Sequence, residues 1–292
     1  MTLREPDRID YDGQVTAGVC GWPIAHSKSP IIHRFWLDAL GLAGDYARFP
    51  VHPDNAHEAF RSLPRLGITG VNVTAPLKQI ALKAADRIDL SAGLVLAANQ
   101  LSVLRGGDIM AFNTDWPGFL EPLHQRGARP ESAVLIGAGG AARAVVPALH
   151  QLGVRHLTLI NRSRAAAESV AGHFLEDLNP PNILELAAGM VLPPADLVVN
   201  ASSLGMTGKP PLDVHLDAQP PHCLVYDLVY APLETGLLAQ ARARDLAIID
   251  GLEMLVGQAR ISFRDFFLAE APRHLDPELR ARLIAGSAPD QR

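Results

Sequence analysis

The chain has 292 residues, of which 48% are hydrophobic, and its formal net charge at pH 7 is −5. This length predicts two domains, the hydrophobic fraction suffices for two cores, and the lack of a basic stripe argues against a nucleic-acid partner. We expect neither a membrane span nor a signal peptide, because no apolar run has the required length and position. The two cysteines, Cys20 and Cys223, lie in apolar runs typical of buried thiols, so we expect a cytoplasmic protein.

The first part of the chain alternates strand-like apolar runs with helical patterns. The order is strand, helix, strand, helix, strand, at residues 15–20, 30–41, 45–51, 55–67 and 70–75. Such alternation predicts βαβ units and a mostly parallel sheet. Residues 101–113 then have the pattern of a hairpin that turns at Gly106 and Gly107, and a helix that ends near Gly127 follows.

A second series of strands and helices begins at residue 132. Its strand-like runs are residues 132–136, 155–160, 195–202, 223–230 and 246–250. Helical patterns follow the first, second and fourth of these runs, and the series ends in a long amphipathic helix over 251–268. This alternation predicts a second α/β domain.

The sequence I-G-A-G-G-A-A connects the first strand of this series to its helix. Gly137, Gly139 and Ala142 occupy the three positions of the G-x-G-x-x-G/A pattern. The first glycine allows a tight turn, and the second lets the backbone approach a pyrophosphate at the helix N-terminus. Glycine turns also occur for purely structural reasons, but the position between a strand and a helix favours dinucleotide binding.

The end of the next strand indicates which dinucleotide is bound. Enzymes that prefer NAD usually have an acidic residue there for the ribose 2′-hydroxyl, whereas this chain has Asn161, Arg162, Ser163 and Arg164. A guanidinium can pair with a 2′-phosphate, and a hydroxyl can add a hydrogen bond. These residues predict NADP as the cofactor; the alternative is that the two arginines form an ordinary solvated turn.

Polar residues near strand ends in the first part of the chain form a second candidate site. Asn72, Thr74 and Lys78 interrupt an apolar stretch where ligands of open α/β sheets gather, and Asp115 precedes a helix. A lysine beside a carboxylate suits carbonyl/alcohol interconversion, because the lysine can exchange the hydroxyl proton while the carboxylate orients it. The alternatives are a solvated helix lysine and an aspartate that only caps its helix.

A turn with two serines joins the first strand to the first helix. Ser29 followed by Pro30 has the form of a helix N-cap, and a helix N-terminus beside the hydroxyls of Ser27 and Ser29 is suited to an anion. A nucleophilic serine would need an electrophile that nothing else in the sequence indicates, and a phosphate cradle would want more glycine. We expect Lys28, between the serines, to point to solvent.

Eight short motifs follow one another along the chain. They are G-x-P-I-x-H-S-x-S-P at 21–30, G-x-N-V-T-x-P-x-K at 70–78, N-T-D-x-x-G-F at 113–119, G-A-G-G-A-x-R at 137–143, N-R-S at 161–163, N-A-S-x-x-G-M at 200–206, D-x-x-Y-x-P-x-x-T at 227–235 and G-x-x-M-L-x-x-Q at 251–258. In this order, and over nearly the whole length from Val19 to Phe267, the chain resembles the shikimate dehydrogenase family.

The resemblance implies an activity and a set of site residues. The activity is the reversible reduction of 3-dehydroshikimate to shikimate with NADPH, a step of aromatic amino-acid (chorismate) biosynthesis, without a metal. Lys78 and Asp115 would form the catalytic pair. The residues implied to bind the substrate are Ser27, Ser29, Thr74, Lys78, Asn99, Asp115, Tyr230 and Gln258, with both serines on its carboxylate. Those implied to bind the cofactor are Gly137, Ala138, Gly139, Gly140, Ala141, Asn161, Arg162, Ser163, Ser202, Met206 and Gly251.

The sequence departs from the family pattern at three positions. Gln100 replaces a threonine and is expected to shift the neighbouring wall of the site. Leu96 replaces a glycine, which implies altered packing of that turn. Ala166 replaces a second basic residue after the N-R-S motif, so we expect Arg164 to supply that charge from another angle.

The alternation of strands and helices and the family resemblance both predict an α/β fold with two domains. Residues 1–115 and 251–292 would form a discontinuous substrate-binding domain, and residues 116–250 a Rossmann-type NADP-binding domain. One alternative activity is that of a quinate/shikimate dehydrogenase that uses NAD or both cofactors, and another is a non-catalytic NADP-binding sensor. The expected partner is the small-molecule substrate, and the expected oligomeric state is a monomer or a homodimer.

Overall fold

The computed structural model describes residues 15–174 and 180–286 of the chain. These residues form helices and strands in alternation and divide into two compact units. The first unit contains the described residues up to Thr114 and those from Val256 onward, and the second unit is Asp115–Leu255. The predicted α/β fold class is therefore confirmed. None of the helices in these ranges combines the length and the hydropathy that crossing a bilayer requires.

Most helices lie close to where the sequence patterns place them, but the short helix at Leu90–Val95 was not predicted. In chain order they are α1 (Ser29–Leu40), α2 (Ala56–Arg61), α3 (Lys78–Ala84), α4 (Leu90–Val95), α5 (Asp115–Gln125), α6 (Gly140–Gln151), α7 (Arg164–Phe174), α8 (Gly236–Ala243), α9 (Gly251–Phe267) and α10 (Asp276–Ala285). The helix predicted over 55–67 ends early, and a 3-10 turn at Leu63–Leu66 follows it. Pro64 in that turn has no backbone N–H to donate, which interrupts α-helical hydrogen bonding.

The first unit is built on a six-stranded sheet of described residues. In chain order its strands are β1 (Thr16–Gly21), β2 (Asp45–Pro50), β3 (Gly70–Val73), β4 (Arg87–Ile88), β5 (Gln100–Val103) and β6 (Ile109–Phe112). Across the sheet the order is β2-β1-β3-β5-β6-β4, and β5 runs antiparallel to both of its neighbours while the other pairs are parallel. The predicted hairpin and the mostly parallel sheet are both confirmed.

Helices cover both faces of this sheet. On one face, Phe60 of α2 and Ala81 of α3 join a buried apolar cluster. On the other face, α1 and α9 supply an aromatic cluster in which the His33 ring stacks on Tyr46 with centroids 3.9 Å apart, and Trp36 lies edge-on to an α9 ring. Burial lowers the pKa of His33 to about 3, so the ring is neutral at pH 7 and acts as part of the core.

The second unit contains a parallel six-stranded sheet of described residues. Its strands are β7 (Ser132–Ile136), β8 (His156–Asn161), β9 (Asn182–Glu185), β11 (Leu197–Asn200), β13 (Leu224–Asp227) and β14 (Ala247–Ile249). A separate short pair consists of β10 (Met190–Val191) and β12 (Val214–His215). Successive residues of β7 alternate between two apolar cores, because side chains of a strand point to opposite faces.

The strand order of this sheet is β14-β13-β11-β7-β8-β9. The chain runs from β7 outward to β8 and β9 and then crosses to β11 on the other side of β7, so the order reverses there. Ligands of open α/β sheets bind beyond the carboxyl ends of the strands at such a reversal. The loops after β7 and β11, which contain Gly137 and Ser202, lie where a nucleotide site is expected.

Candidate functional site

Polar residues of the first unit gather at one edge of its sheet. β1 and β3 are parallel neighbours, so residues 27–29 after β1 and residues 74–78 after β3 leave the sheet on the same side. β5 runs in the opposite direction and starts at this edge with Gln100, directly after Asn99. Segments that are far apart in the sequence are brought together here by strand order and direction.

The turn of residues 27–29, called the serine turn below, begins α1 one residue earlier than predicted. Lys28, not Ser29, is the N-cap residue, and Ser29 is the first residue of the helix. The prediction that Ser29 caps the helix is therefore wrong; instead the Ser27 hydroxyl accepts a hydrogen bond from the Ser29 backbone N–H at 3.4 Å. The Arg48 guanidinium of β2 donates to the Ser27 carbonyl at 2.6 and 3.1 Å, a contact that no sequence motif indicated.

Lys28 does not point to solvent, and that prediction is also wrong. Lys28 is only 6% exposed, and its ammonium donates to the carbonyl of Leu283 in the last turn of α10. Burial lowers the pKa of the Lys28 ammonium. The cause of the burial is the packing of α10 on α1, in which the Arg282 guanidinium lies 4.6 Å from the centre of the Phe35 ring.

Asn99 belongs to a buried group of hydrogen bonds. Its Oδ1 accepts from the Thr114 backbone N–H at 2.7 Å, and its Nδ2 lies 3.0 Å from both Thr114 Oγ1 and Gln258 Oε1. Gln258 is on α9, 159 residues further along the chain. The structure thus joins two residues that the family resemblance implies in substrate binding, and it adds Thr114 as a partner of Asn99.

Thr74, Lys78 and Asp115 lie at the ends of elements. The Thr74 backbone N–H donates to the carbonyl of Cys20, which ties the end of β3 to the end of β1. Lys78 is the half-buried first residue of α3, and its carbonyl accepts from the Ala98 backbone N–H at 3.0 Å. Asp115 is the first residue of α5 in the second unit, and it is 3% exposed. Their catalytic roles stay predictions.

Gln100 is directed into the body of the first unit. Its Oε1 accepts from Ser262 Oγ at 2.9 Å, and its Nε2 donates to Asp265 Oδ2 at 3.0 Å. Both partners are buried residues of α9. Ser262 in turn accepts from Asn72 Nδ2 at 2.7 Å, so Gln100 joins β5 to the helix that carries Gln258. Gln100, which departs from the family pattern, therefore hydrogen-bonds to α9 in the interior of the first unit.

Leu96 ends α4 in the left-handed region, with φ of +54°. A leucine in this conformation costs about 1 kcal/mol or more, whereas glycine adopts it freely. Leu96 is therefore held in a conformation that glycine adopts freely, and the altered packing predicted for this turn stays a prediction.

The glycine turn of the second unit is shaped to receive an anion. Gly137 has φ of +107°, and a Cβ there would lie 2.9 Å from the backbone nitrogen of Ser202, so the position requires glycine. A Cβ at Gly139 or Gly140 would meet nothing within 4 Å, and α6 begins without a side-chain cap or an acidic residue in its first turn. An open, uncapped helix N-terminus fits the pyrophosphate of a dinucleotide.

Ala138 and Ala141 complete the turn and pack against a core of the second unit. The buried Ala142 belongs to that core, as predicted for the third position of the pattern, where a small side chain lets the helix approach the strands. The sequence pattern and the local packing therefore agree at each position of the turn.

The loops after β11 and β13 are held by a buried network that the sequence reasoning missed. The Asn200 side chain donates to Asp227 Oδ1 at 2.9 Å, and Thr235 Oγ1 donates to Asp227 Oδ2 at 2.6 Å. Asn200 Oδ1 also accepts from the Ser202 hydroxyl at 2.7 Å. Burial raises the pKa of the Asp227 carboxyl. These residues begin or end the N-A-S-x-x-G-M and D-x-x-Y-x-P-x-x-T motifs, so the motifs themselves were the available signal.

The segment after β8 contains two arginines with different surroundings. Arg164 donates to Glu168 at 2.9 Å and to the carbonyl of Ile183 at 3.2 Å. Arg162 is exposed and forms no hydrogen bond or ion pair with the described residues. Asn161 Nδ2 donates to the Ser163 carbonyl, and Ser163 Oγ accepts from a backbone N–H of α7. Arg162 is therefore the arginine available to a ligand, while Arg164 already supports its own helix.

Three other predicted residues lie in the second unit. A Cβ at Gly251 would be 2.4 Å from the Leu228 carbonyl oxygen, so the glycine permits a close backbone approach. Met206 is partly exposed in the loop after β11. Tyr230 is half-buried after β13, and burial raises the pKa of its hydroxyl. Contacts of these three residues with substrate or cofactor stay predictions.

Family models match segments of both units. A model described as the shikimate dehydrogenase substrate binding domain matches residues 19–101. A second model, described as shikimate / quinate 5-dehydrogenase, matches residues 124–205. The two matches lie in the first and the second unit respectively.

Similar proteins match over most of the chain. A protein of Paracoccus denitrificans (strain Pd 1222) named shikimate dehydrogenase (NADP(+)) is 44% identical over 273 residues, which are 92% of this chain and 95% of that protein. The shikimate 5-dehydrogenase of Thermus thermophilus, solved with NADP(H) and shikimate, has a TM-score of 0.79 at 32% identity over 94% of this chain and 99% of that one. The quinate dehydrogenase of Corynebacterium glutamicum, solved with NAD, has a TM-score of 0.82 at 27% identity over 92% and 99%.

Proposed function

This chain belongs to the shikimate dehydrogenase family, and we propose that it catalyses the NADP-dependent, reversible reduction of 3-dehydroshikimate to shikimate in aromatic amino-acid biosynthesis. The observation that carries the proposal is the identity of 44% to a shikimate dehydrogenase (NADP(+)) over 92% of the chain. The geometry of each unit supports it, because the first gathers hydroxyl and amide groups at one sheet edge and the second presents an open glycine turn.

The first unit would bind the polar substrate. The hydroxyls of Ser27 and Ser29 lie at the N-terminus of α1, where the positive end of the helix dipole favours a carboxylate. Thr74, Asn99 and Gln258 would hydrogen-bond the ring hydroxyls. Asn99 and Gln258 are already oriented by their mutual hydrogen bond, so little side-chain freedom would be lost on binding.

The second unit would bind NADP. Its glycine turn would hold the pyrophosphate, Arg162 the 2′-phosphate, and Asn161 and Ser163 the adenosine ribose. Ser202, Met206 and Gly251 would border the nicotinamide. When bound, the cofactor supplies or accepts the hydride, and the protein's own part is binding, orientation and proton transfer.

Lys78 and Asp115 would act as the acid/base pair. In reduction the Lys78 ammonium would donate a proton to the oxygen of the new hydroxyl, and in oxidation the amine would take it back. The Asp115 carboxylate would orient the lysine and bind a ring hydroxyl. Tyr230 would close the carboxylate end of the substrate site.

The test of the function is a matrix of turnover assays on the purified protein. Shikimate and quinate are each supplied with NADP and with NAD, and reduced cofactor is followed by its absorbance. Shikimate with NADP is expected to give the highest kcat/KM. Faster turnover of quinate with NAD would instead identify a quinate dehydrogenase, and NADP binding without any turnover would identify a sensor.

Lys78→Ala tests the acid/base role. We expect kcat to fall by about 10²–10⁴-fold, the usual contribution of general acid/base catalysis, with a smaller change in the KM for shikimate. Steady-state kinetics measures both constants. Lys83→Ala is the matched control, since Lys83 is an exposed lysine of the same helix α3 and should leave turnover unchanged. Wild-type turnover by the Lys78 variant would refute the role.

A cytoplasmic location is part of the proposal. Cys20 and Cys223 are both free and buried, and burial raises the pKa of each thiol to about 12, so both are inert structural thiols. Free cysteines suit a reducing compartment. The expected oligomeric state is a monomer or a homodimer, which sedimentation velocity distinguishes.

A further inference from the structure

The side chain of Lys28 gives the serine turn a tie to a distant part of the chain. Lys28 is the N-cap residue of α1, and its carbonyl accepts the backbone N–H of Ile31 at 3.0 Å. Its ammonium leaves the turn in the other direction and donates to the Leu283 carbonyl, 255 residues further on. The backbone that carries Ser27 and Ser29 is therefore attached to two helices through a single residue.

The acceptor of this hydrogen bond is suited to a cation. Leu283 lies in the last turn of α10. Carbonyls there have no N–H partner within the helix, and this end of the helix dipole is negative. A buried ammonium is stable only where such groups replace its water. Two further contacts hold α10 in place: Arg260 donates to Asp276, the first residue of the helix, and Arg282 lies over the Phe35 ring.

A second cation holds the other side of the serine turn. The Arg48 guanidinium donates twice to the Ser27 carbonyl, at 2.6 and 3.1 Å. Lys28 and Arg48 together hold the backbone of the turn, from α10 and from β2 respectively.

We infer that Lys28 is a positioning residue for the substrate carboxylate, because its buried contact with the end of α10 holds the backbone of the serine turn in place. This inference rests on the proposed function of the first unit. It distinguishes Lys28 from the serines, which would touch the carboxylate directly. It also gives α10 a part in substrate affinity, although that helix contains none of the family's site motifs.

Lys28→Met tests the inference, because methionine keeps much of the apolar stem and removes the ammonium. We expect the KM for shikimate to rise by about tenfold, with kcat lowered by no more than about twofold and the KM for NADP unchanged. A merely structural role would instead lower the fraction of active enzyme, and so the apparent kcat, at constant KM. Lys28→Arg, which keeps the charge and the donors, should recover most of the affinity.

Lys83→Met is the matched control, because it removes an exposed lysine from the same unit and should leave all constants unchanged. If Lys28→Met does not fold, Arg48→Met is the alternative variant. It removes the other cation that contacts the serine turn, at an exposed position, and should raise the KM for shikimate severalfold. An unchanged KM for shikimate in the folded variant, with an active wild type, refutes the role of Lys28 alone. A wild type that neither binds nor oxidises shikimate refutes the proposed function and this inference together.

Discussion

At the scale of single residues, the two arginines after β8 differ in their availability to a ligand. The guanidinium of Arg164 is already bound to Glu168 and to the carbonyl of Ile183. Arg162 is exposed, and the described residues give it no hydrogen bond or ion pair. The expectation that Arg164 supplies the charge missing at Ala166 stays a prediction, and it requires Arg164 to exchange its present contacts for the ligand.

Arg162→Ala should raise the KM for NADP by about 10- to 100-fold and leave the KM for NAD nearly unchanged. The physical reason is the loss of one charged hydrogen bond to the 2′-phosphate, worth about 1.5–3 kcal/mol. Steady-state kinetics with both cofactors measures the ratio. Arg164→Ala is the matched control, with at most a small effect on both cofactors, and the opposite ranking of the two variants would contradict the assignment.

Leu96 and Lys28 show how far a residue's identity predicts its setting. At position 96 the structure has leucine in the left-handed conformation that glycine adopts freely, and the altered packing that the sequence predicts for this turn stays a prediction. Lys28 is different, since a lysine between two serines in a turn is ordinarily solvated. Its burial depends on α10, which the local sequence cannot indicate.

At the scale of elements, Asp196 links the starts of two strands in the second unit by hydrogen bonds. Its carboxylate accepts from the backbone N–H groups of Glu131 and Ser132 at 2.9 and 2.8 Å and lies 2.9 Å from His222 Nε2. These contacts join the start of β7 to the start of β11. Burial alone would raise the pKa of Asp196, but the hydrogen bonds from His222, Ser132 and Glu131 outweigh it and lower the pKa to about 2.

This pKa predicts a specific acid sensitivity. Because the folded pKa is below the unfolded one, the stabilisation is present above about pH 4 and is lost as the pH falls towards 2. Asp196→Asn should lower the free energy of unfolding at pH 7 by about 1–2 kcal/mol, allowing for partial exposure. The difference from wild type should shrink at pH 3.

Urea denaturation followed by circular dichroism at pH 7, 4 and 3 measures this difference. Asp213→Asn is the control, because Asp213 is exposed in the same unit and its side chain has no hydrogen bond to the described residues. A difference between Asp196→Asn and wild type that stays constant from pH 7 to pH 3 would contradict the assigned titration.

At the scale of the whole molecule, the two units predict separate effects of the two ligands. NADP alone should slow amide hydrogen exchange mainly at residues 137–142 and 161–163, whereas shikimate alone should slow it mainly at residues 27–29 and 74–78. At 100 times its dissociation constant, each ligand should add about 2.7 kcal/mol to the stability of the state that binds it. Hydrogen-exchange mass spectrometry locates the protected segments.

NAD at the same concentration is the control for cofactor binding and should protect residues 161–163 less than NADP does. Protection by NADP that is absent from residues 137–142 would contradict the assignment of the glycine turn. Protection by shikimate that is absent from residues 27–29 would contradict the assignment of the serine turn, whatever the turnover assays show.

The sequence by itself determined the features that depend on neighbouring residues and on family motifs. The strand and helix alternation, the hairpin at Gly106 and Gly107, the glycine turn and the family are all readable from short segments. These features follow from hydrophobic periodicity and backbone conformation, which act over a few residues. The motifs also indicated Asn99 and Gln258 separately.

Only the tertiary structure decided which distant groups meet. It joined Asn99 to Gln258, turned Gln100 towards Ser262 and Asp265, and buried the Lys28 ammonium against α10. In each case a side chain finds a partner more than a hundred residues away. The physical reason is that a buried polar group must find a hydrogen-bond partner, and chain packing, not the local sequence, determines which one is within reach.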